Sequence, residues 1–130
     1  MNQKIGQSHV FVFDHVECNY GGAYSNISGI FTAPKSGIFA FLWTIMAEGT
    51  NDGTGQNYGE VDTELVVNSE VRRRAHADTE VLYDDGQATG FVIVHLNQGD
   101  LVFIRSQSVP QGNLQVNYRG GWTFSGWQIA

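Results

Sequence analysis

Three arginines and a histidine form the first group of residues whose types and spacing suggest chemistry. Their segment, EVRRRAHAD, covers residues 70–78 and holds three of the seven lysine and arginine residues of the chain. In a strand, Arg72, Arg74 and His76 share one face because alternate side chains point the same way. Guanidinium groups match carboxylate, sulfate and phosphate groups, so we predict contacts with anionic glycans of bacterial envelopes. Charge protection of an exposed edge strand explains the same pattern.

Two glycine-containing loops carry oxygen atoms that suit calcium or a sugar. Their sequences are EGTNDGTGQNYGE and YDDG. Carboxylate and amide oxygens are ligands that Ca²⁺ prefers, although the residue order is not that of an EF-hand. A plain hairpin loop and an Asp-Gly turn are the simpler interpretation of the two segments. The candidates are Asp52 and Asn57 for calcium, and Tyr58, Asp84 and Asp85 for ligand contacts.

The remaining reactive residue types show no catalytic arrangement. The four histidines lack the spacing of zinc ligands, and no serine or cysteine nucleophile accompanies a histidine and an acid in a distinctive pattern. Cys18 is the only cysteine, which excludes an intrachain disulfide, and we expect it to be a small buried residue. The sequence therefore predicts a protein that is not an enzyme and that requires no cofactor.

The elements that must position these residues are β-strands. Apolar residues recur with a period of two, and glycine, asparagine and aspartate separate the runs, as in a sandwich or barrel of about eight strands. The predicted strands are HVFVFDH, GIFTA, GIFAFLWTIMAE, GEVDTELVV, EVRRRAHAD, GQATGFVIVHLN, DLVFIRSQS and WTFSGWQIA.

These strands fall into two classes. Those that begin near Val10, Gly37 and Thr89 are apolar on both faces, whereas those that begin at Gly59, Glu70 and Asp100 are more nearly half polar. One sheet is therefore expected to meet water, and the outer face of the other is expected to be buried between subunits. On the Gly37 strand, the residues predicted to form that interface are Ile38, Ala40 and Leu42.

Composition sets limits on the class of protein. The 130 residues suit one domain, and 42% hydrophobic residues indicate a globular chain. A net charge of −6 argues against nucleic acid as the partner, and no stretch is long enough to span a membrane. We expect a single domain over residues 1–130, with residues 1–8 as an extension. The start shows no signal peptide, so either a mature secreted domain or a protein made without a leader is expected, and an intracellular location stays open.

The spacing of one set of residues resembles the signature of the globular domain of complement component C1q. Every interval of that signature is kept, and LNQGDLVFI and FSGWQI resemble later segments of the same family. Phe39 and Trp43 replace the usual tyrosine and the usual phenylalanine or tyrosine, and both keep an aromatic ring. The signature positions are Phe13, Asn19, Tyr24, Phe31, Gly37, Phe39, Phe41 and Trp43.

The resemblance implies a ten-stranded all-β jelly roll that assembles as a homotrimer. It implies a secreted recognition module, here without a collagen stalk, most like the stalkless proteins of bivalve molluscs. Those proteins act as lectin-like pattern-recognition proteins of innate immunity, and some family members bind calcium near the trimer apex. The implied partners are a second and third copy of the chain and microbial glycans. A cytokine-like or scaffolding ligand that binds a protein receptor in the grooves between subunits is the alternative.

Overall fold

The structure, a computed structural model, describes residues 6–50, 57–114 and 121–130. The described residues form seven strands and no helix, which confirms the predicted all-β class. The strands are β1 (Phe31–Thr32), β2 (Gly37–Glu48), β3 (Glu60–Val67), β4 (Glu70–Asp78), β5 (Asp85–Leu96), β6 (Leu101–Ser106) and β7 (Thr123–Gln128).

Two antiparallel sheets pack face to face as a sandwich. One has the strand order β1-β6-β3-β4 and the other the order β5-β2-β7. The core between them contains the inward-facing residues of both sheets, with the segment around Phe11 added from the N-terminal side. Inward and outward residues alternate along β3, where Val61, Thr63 and Leu65 are fully buried. The jelly-roll sandwich implied by the signature is therefore the observed fold.

The signature residues account for much of the core and its edge. Phe39, Phe41 and Trp43 alternate along β2 and are buried, and Phe13 and Phe31 pack against them partly buried. The Trp43 indole Nε1 donates a hydrogen bond of 2.9 Å to the Thr63 hydroxyl, which donates in turn to the Ala75 carbonyl at 3.0 Å. This chain of bonds links β2 in one sheet to β3 and β4 in the other.

The two polar signature residues fix the loop that precedes β1. The Tyr24 hydroxyl accepts a bond from the Phe13 N–H at 2.9 Å and donates to the Phe13 carbonyl at 3.1 Å. The Asn19 amide bonds both the N–H and the carbonyl of Tyr24. These bonds connect the segments at Phe13, Asn19 and Tyr24, whose backbone groups are not paired in a regular β-ladder.

The segment predicted as the first strand takes a different place. Val10 forms an isolated bridge with Arg105, and the Phe11 N–H donates to the Ile104 carbonyl at 2.9 Å. The segment therefore lies beside β6 in the first sheet, and the expectation that it shares a sheet with the Gly37 and Thr89 strands was wrong. Because β1 is only two residues long, it leaves the rest of that edge of β6 unpaired, and the N-terminal segment satisfies those backbone groups.

Cys18 also departs from its prediction. The thiol is exposed, because it lies in the irregular surface segment that precedes Tyr24 rather than in a strand. A small residue is buried only where its segment packs against the two sheets, and the segment around Cys18 does not pack against them at that position.

The sheet β5-β2-β7 carries an apolar outer face. Ile38, Ala40 and Leu42 point away from the core, as the alternation along β2 predicts, and Ala40 is fully covered within the single chain. In the strand register, Ala40 lies between Ile93 on β5 and Trp127 on β7. Ile93 is 56% exposed and Trp127 is 50% exposed. We call this surface the apolar sheet face; its residues are Ile38, Ala40, Leu42, Phe91, Ile93, Trp127 and Ile129.

Replacing Phe41 with alanine is expected to destabilise the fold by about 3–5 kcal/mol, because a buried ring is lost and a cavity is left. Tyr20→Ala is the matched control, since Tyr20 is 99% exposed and its ring contributes no burial. Chemical denaturation followed by tryptophan fluorescence measures both. Equal stability of the two variants would contradict the inward position of Phe41.

Candidate functional site

The β3–β4 hairpin places two rows of charged side chains opposite each other on the outer face of its sheet. Because Val61, Thr63 and Leu65 point into the core, the residues between them point outward. The register sets Glu60 opposite Asp78, Asp62 opposite His76, and Glu64 opposite Arg74. On this face, a row of acids on β3 thus lies opposite a row on β4 that consists of an acid, a histidine and an arginine.

Three of these residues form a cluster that can hold a metal ion. Glu60, Asp62 and His76 each offer one ligand atom, and these atoms lie within 4.8 Å of one another. His76 Nδ1 is hydrogen-bonded to Asp62 Oδ1, and His76 Nε2 lies 3.5 Å from Asp78 Oδ2. The Ser108 hydroxyl donates to Asp62 Oδ2 at 3.2 Å and orients this carboxylate. A set of one imidazole with two or three carboxylates fits Zn²⁺ and similar divalent ions.

The protonation of His76 depends on the same contact. The hydrogen bond to Asp62 raises the pKa of His76 above its ordinary value of 6.5, and Asp78 adds to the effect. A raised pKa in the folded state means that the protonated imidazole stabilises the fold below the unfolded pKa. That contribution is fully present in mildly acidic solution and is lost as pH rises through the raised pKa. His76 is half exposed, so solvent screens the interaction.

Glu64 continues the acidic row but has a structural environment. Its side chain is only 6% exposed, and two arginines hold its two oxygens. Arg105 Nε donates to Oε1 at 2.7 Å, and Arg74 Nε donates to Oε2 at 3.3 Å. A buried carboxylate requires such partners. Arg74 is therefore engaged with Glu64 and belongs to this ion-pair network.

Arg72 does not share the surface predicted for Arg72, Arg74 and His76. The pairing of β3 with β4 shifts between Leu65 and Val66, so that Val66 pairs with Val71 while Leu65 pairs with Arg73. Arg72 is the extra residue of this β-bulge, which breaks the regular alternation of faces. Its guanidinium lies 3.6 Å from the Glu70 carboxylate and lines a cleft near the end of the sandwich. The prediction of one shared arginine face was therefore wrong.

The residues predicted for calcium and sugar contacts lie near a different group of loops. The Gly49 N–H donates to the Asp84 carbonyl at 3.0 Å, and a side chain at Gly49 would collide with the Asn57 carbonyl, so these loops lie close together. Among the described residues, Asn57 Oδ1 is a buried acceptor without a hydrogen-bond partner. Asp84 and Asp85 are exposed, and Tyr58 is half-buried.

Asp52 lies outside the described residues, so the predicted pairing of Asp52 with Asn57 around calcium stays a prediction. No other cluster of three or more metal-ligating side chains occurs in residues 6–50, 57–114 and 121–130. Sequence spacing alone did not find the Glu60–Asp62–His76 cluster, because its members come from two strands. The detectable signal was the period-two acids of β3 followed, across the Asn68-Ser69 turn, by a histidine.

Comparisons with known proteins agree with this fold. A family model for the C1q domain matches residues 1–129. The chain is 35% identical over 100 residues to heavy metal-binding protein HIP of Mytilus edulis, covering 77% of this chain and 43% of HIP. It is 29% identical over 118 residues to Multimerin-1 of Mus musculus, covering 91% of this chain and 9% of Multimerin-1. The chain thus spans less than half the length of either relative.

Two solved structures share the architecture. The globular domain of zebrafish complement 1qA protein superposes with a TM-score of 0.75 at 16% identity, over 100% of this chain and 91% of that one. The Eiger TNF protein of S. frugiperda gives a TM-score of 0.59 at 11% identity, over 82% of this chain and 68% of that one. At these identities the likeness concerns the fold.

Three general properties follow from these matches and from the structure. Domains of the C1q and TNF-like type are not enzymes, and C1q-domain proteins commonly form oligomers. No helix among the described residues is long and apolar enough to cross a membrane. Because the family match covers residues 1–129, this protein belongs to the C1q domain family.

Proposed function

We propose that the protein is an extracellular pattern-recognition protein of innate immunity that works as a homotrimer. The observation that carries this proposal is the contrast between the two outer faces of the sandwich. The face of β5-β2-β7 is apolar, whereas the face of β3 and β4 carries acids, arginines and a histidine. One face suits self-association, and the other suits contact with polar ligands.

The apolar sheet face is the proposed interface between subunits. Phe91 and Ile93 on β5 and Trp127 on β7 lie on either side of β2, and each is half exposed or nearly so in the single chain. A contiguous apolar surface of this kind favours a closed symmetric assembly over exposure to water. Oligomers are common in the C1q family, and the threefold arrangement implied by the signature selects a trimer. Ile38, Ala40 and Leu42 would lie at the centre of the contact.

The charged face is the proposed ligand-binding surface, and a metal ion is its first candidate ligand. A relative carries the name heavy metal-binding protein HIP, and Glu60, Asp62 and His76 form a suitable donor set here. An imidazole among the ligands favours Zn²⁺ or a similar transition-type ion over Ca²⁺, which prefers oxygen ligands alone. The ion would serve the recognition surface and no catalytic step.

Microbial glycans or other anionic surface molecules are the proposed biological ligands. Three weak sites on one trimer would bind a repetitive envelope with high avidity, because the second and third contacts are intramolecular. A cytokine-like or scaffolding ligand that binds a protein receptor between subunits is the second candidate, favoured by the TNF-like fold. A screen against glycans and microbial envelopes, with and without Ca²⁺ and Zn²⁺, separates the two. Binding that free sugar competes away supports recognition of glycans, and a single saturable protein partner supports the alternative.

Replacing Ile93 with glutamate is expected to convert the trimer into monomers, because each interface would then bury an unpaired charge. Val81→Glu is the matched control, since Val81 is 58% exposed and lies outside the apolar sheet face. Light scattering coupled to gel filtration measures the mass of each form. A wild-type protein that stays a folded monomer at micromolar concentration would refute the proposed assembly.

Replacing His76 with alanine is expected to weaken Zn²⁺ binding by roughly tenfold or more, because one of the proposed ligands is lost. His15→Ala is the control, since His15 is an exposed histidine outside the Glu60–Asp62–His76 cluster. Isothermal titration calorimetry with Zn²⁺ alone measures both variants and the wild type. Equal affinity of His76→Ala and wild type would remove this cluster from the proposal.

A further inference from the structure

A polar cleft of about 560 Å³ lies near one end of the sandwich. One wall comes from the end of β3, the β3–β4 turn and the first residues of β4, and the other comes from the end of β5 and the segment between β5 and β6. Apart from Val67, its lining residues are polar: Asn68, Ser69, Glu70, Arg72, His95, Asn97 and Asp100. Its position and residues are distinct from the Glu60–Asp62–His76 cluster, which lies toward the opposite end of the β3–β4 hairpin.

Hydrogen bonds lock the two walls of the cleft to each other. Asn68 Nδ2 donates to Asp100 Oδ1 at 3.2 Å, and the Leu101 N–H donates to Asn68 Oδ1 at 3.0 Å. The Asn97 N–H donates to Asp100 Oδ2 at 2.9 Å. Both oxygens of Asp100 are thus used within the protein, and these donors lower the pKa of Asp100. The walls are therefore arranged before any ligand arrives, which reduces the entropic cost of binding.

Arg72 is the cationic group of this cleft. The β-bulge turns it away from the row of Arg74 and His76, and within the described part of the chain its guanidinium forms an ion pair of 3.6 Å with Glu70. Both partners are substantially exposed, so this pair is weak and can be replaced by a better-placed anion. A guanidinium binds carboxylate and phosphate groups through paired N–H donors.

The remaining lining residues indicate the rest of the ligand. Asn97 and His95 offer amide and imidazole groups, which form hydrogen bonds with hydroxyl groups. Val67 and the side-chain stems are the apolar parts of the lining, so an apolar ligand would gain little. A ligand with many hydroxyl groups and one anionic group satisfies both features.

We infer that this cleft binds an acidic sugar, held through its carboxylate or phosphate by Arg72 and through its hydroxyl groups by the side chains of Asn97 and His95. The biological setting rests on the proposed function, to which the cleft adds a ligand class and the place where that ligand binds. His95 follows Phe91 and Ile93 on β5, so in the proposed trimer three such clefts would lie beside the subunit boundaries.

The test uses the full chain labelled with ¹⁵N and titrated separately with glucuronate, glucose 6-phosphate and glucose. The two acidic sugars distinguish carboxylate from phosphate recognition, and glucose is the uncharged comparator. Shifts of the amide signals of residues 67–72 and 95–100 are expected with one or both acidic sugars, and much weaker ones with glucose. Absence of these shifts with both acidic sugars, or equal shifts with glucose, would overturn the inference.

Three variants assign the binding to Arg72. Arg72→Ser is expected to weaken binding roughly tenfold or more, the effect of losing hydrogen bonds to a charged group. Arg73→Ser is the matched control: it removes the same charge from the neighbouring exposed residue, which does not line the cleft. Glu70→Gln removes the competing carboxylate and is expected to tighten binding severalfold. Unchanged affinity in Arg72→Ser would contradict the assignment.

The outcome for the cleft is separable from the outcome for the assembly. Sugar binding by a protein that light scattering shows to be a monomer would refute the proposed trimer and leave the cleft standing. If the protein is a trimer but residues 67–72 and 95–100 respond to neither acidic sugar, the acidic-sugar site is refuted and the proposed trimer stands.

Discussion

The β-bulge at Arg72 decides which side chains of the β3–β4 hairpin meet. The hairpin begins with Val67 opposite Glu70, and a regular continuation would set Asp62 opposite Ala75 and Val61 opposite His76. A slip of one residue exchanges the two faces of a strand, so His76 and Arg74 would then point toward the core. The extra residue corrects the register: Ala75 and Ala77 enter the core, and His76 meets Asp62. The candidate metal cluster depends on this correction.

The same irregularity distributes the basic run among three environments. Arg74 neutralises the buried Glu64 together with Arg105, which leaves Asp62 and Glu60 as the acids of β3 that are available to His76. Arg72 is directed to the cleft, and Arg73 stays exposed opposite Leu65. Burial of Glu64 without its arginines would cost several kcal/mol, so these ion pairs are a condition of the charged face. A run of equal residues in the sequence thus has unequal roles in the fold.

Sequence patterns predicted the strands well, because alternation and turn residues are local properties. β2 and β4 have the predicted bounds, and the outward set on β2 is the predicted one. The place of the N-terminal segment was missed, since it depends on how much of the β6 edge β1 leaves free. The contact of Gly90 with the Trp43 ring was equally invisible, although a side chain there would come within 2.3 Å of the indole. Both are properties of packing between distant segments.

The candidate sites show the same division between local and nonlocal information. Residue types alone indicate the chemistry of Arg72, His76 and Asp62. Which of these side chains lie close together depends on the register between β3 and β4, and the β-bulge sets that register. No propensity marks Arg72 as the extra residue, because the two residues that follow it, Arg73 and Arg74, are of the same type. The bulge follows from the demand that Leu65, Thr63 and Val61 share the core with Ala75 and Ala77 while the two-residue turn fixes Val67 opposite Glu70. Burial of apolar residues on both strands therefore places the charged groups, and the sites are a consequence of how the core is packed.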